Sequence, residues 1–176
     1  MLMTAEELKQ FIPTDKPEPV LEAMLQALEW AIRGYTNNNF QDRNYRRKAD
    51  IIAGDLYNIE AVNPFDAGDT VQISDSKMNN GLYTVVNAED THMKLNEPVR
   101  DEKGVLLTKV VYPMNVKLGV ARLIQWELEN GNKVGIQSES ISRHSVTYFN
   151  LDGSNSEMGY PQSLMGFLKP YRKARF

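Results

Sequence analysis

The sequence predicts an α+β fold: a small helical bundle carries an inserted, barrel-like antiparallel β domain and ends in an extended C-terminal tail. Apolar residues recur at helical spacing on both sides of the segment 49–112, which itself contains short β-type runs separated by turn residues. The segment 169–176 carries four basic and no acidic side chains. We therefore divide the chain into a discontinuous helical domain (1–48 and 113–168), an inserted β domain (49–112) and a basic, aromatic tail (169–176).

The first part of the chain predicts two helices. Thr4 followed three residues later by Glu7 is a capping-box pattern, which predicts a short helix over residues 5–11. A second helix is expected from about 18 to 35, because prolines precede a run in which leucine and isoleucine recur at intervals of three and four residues. The polar stretch 36–48 is interpreted as a connector.

The second helix also has apolar residues behind its main apolar stripe. At about 100° per residue, Trp30 lies half a turn from Leu28, on the side of Ala23 and Ala27. This side needs a covering surface, which is either the inserted domain of the same chain or a neighbouring subunit. Trp30, Ala23 and Ala27 are therefore candidate subunit-interface residues.

Residues 115–129 predict a third helix that is apolar on nearly all sides, with Asn115 as its N-cap. In so small a chain, packing on its own core and on another copy explains such a helix better than one core alone. Leu118 and Trp126, on different faces, are therefore further interface candidates. Glu127 falls within the apolar arc, which either fraying of the helix end or a charge pair across an interface would explain.

The inserted segment predicts five or six short strands, arranged as a small barrel or sandwich. Turn residues separate the predicted runs, which are Ile51-Ile52, Leu56 to Val62, Thr70 to Ile73, Leu82 to Val86, Met93 to Leu95 and Leu106 to Tyr112. Residues 49–115 contain eleven acidic and five basic side chains. This net charge of −6 argues against a nucleic-acid-binding barrel, whose stacking aromatics need a cationic groove.

No catalytic or metal-binding pattern emerges from the sequence. The chain has no Cys and two His, and the run Ser138 to Ser145 lacks the Gly-x-Ser-x-Gly turn of a nucleophilic serine. His92 and His144 are far apart in sequence. Asp66, Asp69 and Asp75 lack the ligand spacing of an EF-hand. We expect no enzyme, no cofactor and no metal site.

Charge and hydropathy limit the partners. The net charge of −3 disfavours tight DNA binding, and no stretch approaches the roughly 18 apolar residues of a membrane span. The first residues become acidic before any apolar run typical of a signal peptide. We therefore expect synthesis in a cytoplasm and no membrane partner.

The C-terminal part is predicted to be extended over 135–149, with a short helix that begins at Pro161 and ends at Pro170. The tail that follows combines fixed positive charges with aromatic rings, a mixture suited to an acidic groove of a partner. An ordinary frayed terminus is the alternative. The tail residues of interest are Lys169, Tyr171, Arg172, Lys173, Arg175 and Phe176.

Short segments in order along the chain carry a family likeness: Leu28-Glu29-Trp30-Ala31-Ile32, Tyr35-Thr36-Asn37-Asn38, Gly68-Asp69-Thr70-Val71, Asn80-Gly81-Leu82-Tyr83, Ser138-Glu139-Ser140-Ile141, Ser145-Val146-Thr147-Tyr148 and Leu168-Lys169-Pro170-Tyr171-Arg172. With the short first helix, they resemble the head–tail connector, or adaptor, proteins in the neck of tailed bacteriophages, particularly long-tailed phages of Gram-positive hosts. The β insertion departs from the minimal, all-helical members of that family.

The resemblance implies a structural virion protein, assembled in the host cytoplasm, that forms a closed ring of roughly a dozen copies in the neck. The ring would join the portal protein to a downstream stopper or tail protein, and viral DNA would pass through its channel without sequence-specific binding. It implies that tail residues 169–176 contact the portal, with Tyr171 and Phe176 as anchors. The acidic insertion would either line the channel or point outwards.

Two alternatives remain at this stage. The first is another neck component, such as a head-completion or stopper protein. The second is a regulatory nucleic-acid-binding module that uses the β domain, the tail and the basic residues Arg43, Arg46, Arg47 and Lys48.

Overall fold

The computed structural model describes residues 1–57, 63–131 and 156–174, together with the backbone of two strands at 138–141 and 144–147. The chain forms two compact units. We call residues 39–112, together with Met1, the barrel unit. We call residues 2–38 and 113–176 the helical unit.

The barrel unit is a closed six-stranded antiparallel barrel with the strand order β1-β2-β5-β4-β3-β6, in which β6 pairs with β1. The strands are β1 Gln41–Ile52, β2 Asp55–Tyr57, β3 Thr70–Ser74, β4 Gly81–Ala88, β5 His92–Leu95 and β6 Glu102–Val110. Of the two predicted forms, barrel and sandwich, the structure is therefore the barrel.

The barrel core is formed by alternating side chains that face inwards. Its buried members on strands are Ala49, Ile51, Leu56, Val71, Ile73, Val85, Met93, Leu95, Val105 and Leu107, and Phe65 and Val99 join them from loops. Alternation of this kind is what a closed sheet requires, because successive side chains of a strand point to opposite faces.

Strand β1 corrects one sequence-based interpretation. Residues 36–48 are not a connector, because α2 extends to Thr36 and β1 begins at Gln41. The usual alternation is lost in this part of β1 because the register to β6 shifts between Asp42 and Arg46, which leaves residues 43–45 as an exposed bulge. The barrel unit therefore begins about ten residues before the predicted insertion at 49.

The earlier start of the barrel changes its charge. Residues 39–48 add four basic side chains and one aspartate, so that 39–112 holds nine basic and twelve acidic side chains. The net charge of this unit is −3, half of the −6 counted for 49–115.

A two-residue turn joins β1 to β2. Ile52 pairs with Asp55, and the two residues between them, Ala53 and Gly54, both have positive φ (53° and 85°). Positive φ at both central positions is the type of hairpin turn that matches the twist of the strands. The turn is therefore centred on Ala53-Gly54.

The helical unit contains three α-helices: α1 Ala5–Phe11, α2 Glu18–Thr36 and α3 Met114–Asn130. These ranges confirm the three predicted helices to within one or two residues. The helices pack pairwise on one another, around the fully buried side chains of Leu8, Leu21, Leu25, Ile32, Leu123 and Ile124.

The starts of the helices agree only in part with the predicted caps. Thr4 Oγ1 accepts the Glu7 amide at 3.1 Å, as predicted. The Glu7 carboxylate, however, accepts from Lys117 Nζ at 2.9 Å and does not complete the reciprocal half of the capping box. Asn115 is not the N-cap of α3, because the helix begins one residue earlier and Pro113 occupies that position.

Short elements follow α3. The described backbone contains the hairpins β7 Ser138–Ile141 with β8 His144–Thr147, and β9 Ser156–Glu157 with β10 Tyr160–Pro161. The single short helix predicted between Pro161 and Pro170 is instead two 3₁₀-helices, Gln162–Leu164 and Gly166–Tyr171. No helix within the described residues is long and apolar enough to cross a membrane.

The second 3₁₀-helix packs closely on α3. Gly119 is buried, and a Cβ placed there would lie 2.5 Å from ring carbons of Phe167. Only glycine therefore allows the Phe167 ring to reach this position on the helix. Pro170 lies inside the 3₁₀-helix and does not end it.

Candidate interaction surfaces

An open, mainly apolar groove of about 740 Å³ lies along the exposed side of α2. We call it the α2 groove. Its floor consists of small residues that follow one another along the helix: Ala23, Ala27, Ala31 and Gly34. The side chains around this floor are Val20, Met24, Leu28, Trp30, Tyr35, Glu127, Met158 and Tyr160.

Trp30 is the most exposed large apolar side chain of the α2 groove. It is 59% exposed, and Ala23 and Ala27 beside it are exposed too. On the opposite side of the same helix, Leu21 and Leu25 are completely buried. The helix thus has two apolar sides, one packed in the core of its own unit and one open.

One wall of the α2 groove is formed by the Tyr160 ring and the Glu127 carboxylate. The Tyr160 hydroxyl donates to Glu127 Oε2 at 2.5 Å, and the Trp126 ring packs edge-on against the Tyr160 ring at 5.6 Å. Burial, and then the hydrogen bond to the Glu127 carboxylate, raise the pKa of Tyr160. Glu127 thus has an acceptor role within its own unit, which neither sequence-based explanation included.

A second apolar surface lies on α3. Met114 is 57% exposed and Leu118 is 39% exposed, and Arg122, one further turn along, is exposed as well. These three residues are spaced by four, so they form one line along the helix. We call this line the α3 stripe.

The five interface candidates from the sequence are distributed over these surfaces. Trp30, Ala23 and Ala27 lie together in the α2 groove, and Leu118 lies in the α3 stripe. Trp126 is half-buried behind the groove wall, where it supports Tyr160.

Several groove residues were missed at the sequence level. Ala31 and Gly34 continue the spacing of Ala23 and Ala27, so the same helical projection would have found them. Met158 and Tyr160 come from a hairpin more than 120 residues along the chain from the α2 residues they face. No local pattern predicts that approach.

Much of the tail is held against its own unit as far as it is described. The Tyr171 hydroxyl donates to Asn115 Oδ1 at 2.7 Å, and the Lys173 amide donates to the Thr36 carbonyl at 2.8 Å. The Arg172 guanidinium lies 4.9 Å from the centre of the Tyr35 ring. Lys169 and Lys173 have exposed side chains, whereas Arg175 and Phe176 lie outside the described residues.

The basic residues of β1 are partly engaged within the barrel. Arg46 Nε donates to Thr108 Oγ1 at 3.1 Å, and Arg47 Nη1 donates to the Arg46 carbonyl at 2.8 Å. Both side chains are half-buried, while Arg43 and Lys48 are exposed. Only part of this basic cluster is therefore accessible to a polyanion.

The residues considered for metal or catalytic chemistry do not converge in the described structure. No group of three or more His, Asp or Glu side chains suited to a metal ion occurs there. His92 stacks on Tyr57 with 4.6 Å between ring centres, and its Nε2 lies 3.5 Å from Asp55 Oδ2. Asp69 forms an ion pair with Lys109 at 2.5 Å. Ser142 and Arg143 lie outside the described residues, and only the backbone is described for Ser138–Ile141 and His144–Thr147.

Neither a scan against protein-family models nor a search of curated proteins finds a match to this chain.

Proposed function

We propose that this chain is a structural neck protein of a tailed bacteriophage virion. In this proposal, copies form a ring that joins the portal of the DNA-filled head to the next neck or tail component, and DNA passes through the channel. The observation that carries the proposal is the open α2 groove, with Trp30 59% exposed beside a row of small residues. The sequence resemblance supplies the particular assembly.

An open apolar groove supports an assembly protein for a physical reason. Covering an apolar groove with a partner is favourable, since each buried Å² of apolar surface is worth roughly 25 cal/mol. Tryptophan is also the side chain most enriched among residues that dominate binding energy. A protein that works as a ring covers such surfaces only after assembly.

The tail is proposed to contact the portal mainly through its positive charge. Lys169 and Lys173 have exposed side chains, whereas Tyr171 already bonds to Asn115 within its own unit. The charge reversals K169E and K173E keep the backbone bond from Lys173 to Thr36, which deleting residues 170–176 would remove. We expect the double reversal to weaken attachment to portal-bearing heads, more so at low salt. Unchanged attachment would exclude the electrostatic contact.

The DNA channel requires little attraction between protein and DNA. The barrel unit carries a net charge of −3, which fits passage without tight binding whichever way this unit faces. A head-completion or stopper protein of the same neck is the alternative within this class.

The nucleic-acid-binding module is the alternative from another class. Arg46 and Arg47 are half-buried and bonded within the barrel, which leaves Arg43 and Lys48 as the exposed basic residues of β1. Binding to random duplex DNA that falls steeply with added salt would favour this alternative, because neutralised phosphates release counterions.

Electron microscopy of the purified protein mixed with portal-bearing capsids tests the proposal. We expect a ring of density at one vertex. The variant W30A should lose this ring while its free energy of unfolding changes by no more than about 0.5 kcal/mol, as is usual for exposed positions. The matched control V86A removes a side chain that is 55% exposed on the barrel and should keep the ring. Capsids without added density would contradict the proposal.

A further inference from the structure

We propose that the α2 groove of one copy receives the α3 stripe of a second copy. The inference rests on the proposed function in that it names the contact through which copies in a ring would pair. Met114 and Leu118 of a second copy fit the α2 groove for three reasons, which are shape, charge and position.

The shapes of the two surfaces are complementary. Ala23, Ala27 and Ala31 repeat every four residues, and their small side chains form a row along the α2 groove. Met114 and Leu118 protrude with the same spacing of four, and both are more than one third exposed. Rows at this spacing on two helices interdigitate at a crossing angle of about −50° in the commonest helix packing.

The charges are complementary too. Glu127 places a carboxylate at the wall of the α2 groove, and Arg122 continues the α3 stripe with a guanidinium. Glu127 Oε2 accepts the Tyr160 hydroxyl, which fixes the carboxylate in place. A guanidinium beside a fixed carboxylate forms a charge-assisted hydrogen bond that sets the register of the pair.

The positions of the two surfaces allow a chain of copies. Glu127 lies nine positions after Leu118, which at about 100° per residue places the two residues on opposite sides of α3. Each copy can therefore offer its α3 stripe to one neighbour and its α2 groove to another. Contacts between two different surfaces are heterologous, and they close into a ring when the rotation between copies permits.

Directed disulfide formation tests this pairing, because the native chain has no cysteine. The variants A27C and L118C are purified separately, mixed and oxidised, with and without portal-bearing heads. In at least one condition we expect mixed dimers to exceed dimers of either variant alone by about tenfold, because pairing raises the effective thiol concentration. The control E22C replaces an exposed residue on another side of α2 and should show no such excess with L118C.

A double-mutant cycle tests the charge pair on the same cross-link. R122Q and E127Q each remove one charge, and E127Q keeps an oxygen for the Tyr160 hydroxyl. Each variant should reduce the yield of mixed dimers by a similar factor, and the double variant should reduce it little further. Independent, multiplying losses would overturn the proposed contact between Arg122 and Glu127.

The outcomes separate this inference from the proposed function. A ring at the capsid vertex without excess mixed dimers, or with an excess of A27C self-dimers, overturns the pairing and leaves the function standing. Excess mixed dimers without a ring at the vertex supports the pairing and removes the neck assignment.

Discussion

The barrel unit and the helical unit both bury a core, but they distribute their remaining apolar side chains differently. The exposed large apolar residues of the barrel strands and of the β3–β4 loop are Tyr45, Ile52, Tyr57, Met78 and Val86. They are distributed over three strands and one loop. In the helical unit, by contrast, Trp30 and Val20 share one groove with a row of small residues.

The difference follows from the two kinds of secondary structure. In a closed barrel, alternate side chains point into a common interior, and the other side chains point separately into solvent. Helix α2 packs Leu21, Leu25 and Ile32 into its core and still has an opposite side long enough for a second partner. The contrast indicates where contacts with other molecules are to be sought: on the helices.

The largest effect on the free energy of unfolding is expected from a substitution in the barrel core. Leu107 is fully buried in the barrel, so L107A should lower the free energy of unfolding by about 2–5 kcal/mol. The control V86A, at an exposed barrel position, should cost no more than about 0.5 kcal/mol. Urea denaturation measures both. Similar losses for the two variants would contradict a tightly packed barrel.

In the helical unit, the close contact between α3 and the second 3₁₀-helix should also be sensitive to a change in side-chain volume. G119A brings a Cβ to within 2.5 Å of the Phe167 ring, and we expect it to cost about 1–3 kcal/mol despite the better helix propensity of alanine. Gly34 is the matched control, because a Cβ there meets nothing within 4 Å. G34A should stabilise the protein by about 0.5–1 kcal/mol. Thermal unfolding distinguishes the two, and equal shifts in the midpoint would count against the packing described.

A smaller effect is expected at the start of α1. T4A removes the oxygen that accepts the Glu7 amide, at a cost of about 1 kcal/mol. T4S keeps this oxygen and should recover most of the loss. Chemical denaturation of both variants measures the difference, and a T4S as unstable as T4A would assign the effect to the lost methyl group instead.

The smallest effect is local and depends on pH. Hydrogen bonds from the Ser76 hydroxyl and the Lys77 amide, at 2.6 and 2.9 Å, lower the pKa of Glu102 in the barrel. A carboxyl group with a lowered folded-state pKa stabilises the fold above its unfolded-state pKa, about 4.3, and this contribution is lost as the pH falls through the folded-state value.

We therefore expect the loop 76–80 to exchange its amide hydrogens faster in acid than the rest of the barrel. Amide exchange of Lys77, measured by NMR at a series of pH values and corrected for intrinsic rates, checks this. E102Q should remove the pH dependence. A loop equally protected throughout would rule out Glu102 as the group that holds it.

The elements could largely be predicted because their periodicities are strong. Helix α1 follows from its capping-box pattern, and α2 and α3 follow from apolar residues at helical spacing. Most strands follow from short β-branched runs between turn residues. The first half of β1 could not be predicted, because its bulge at residues 43–45 replaces alternation with a run of exposed polar and aromatic side chains.

The candidate site could be predicted only where it lies on one helix. At about 100° per residue, Trp30, Ala23 and Ala27 lie on the same side of α2, so no tertiary information is needed to group them. The opposite wall depends on the hairpin that presents Tyr160 to Glu127, a contact between residues 33 positions apart. Sequence spacing alone carries no signal for such a contact.

The pairing of β6 with β1 closes the sheet, and this limits how other molecules can attach to the barrel unit. A strand at the border of an open sheet offers unpaired amides and carbonyls on which another molecule can extend the sheet. This barrel has no such border, so it offers no free strand edge on which another molecule could extend the sheet. In the assembly that we propose, the closed sheet would leave the contacts between copies to the helical surfaces.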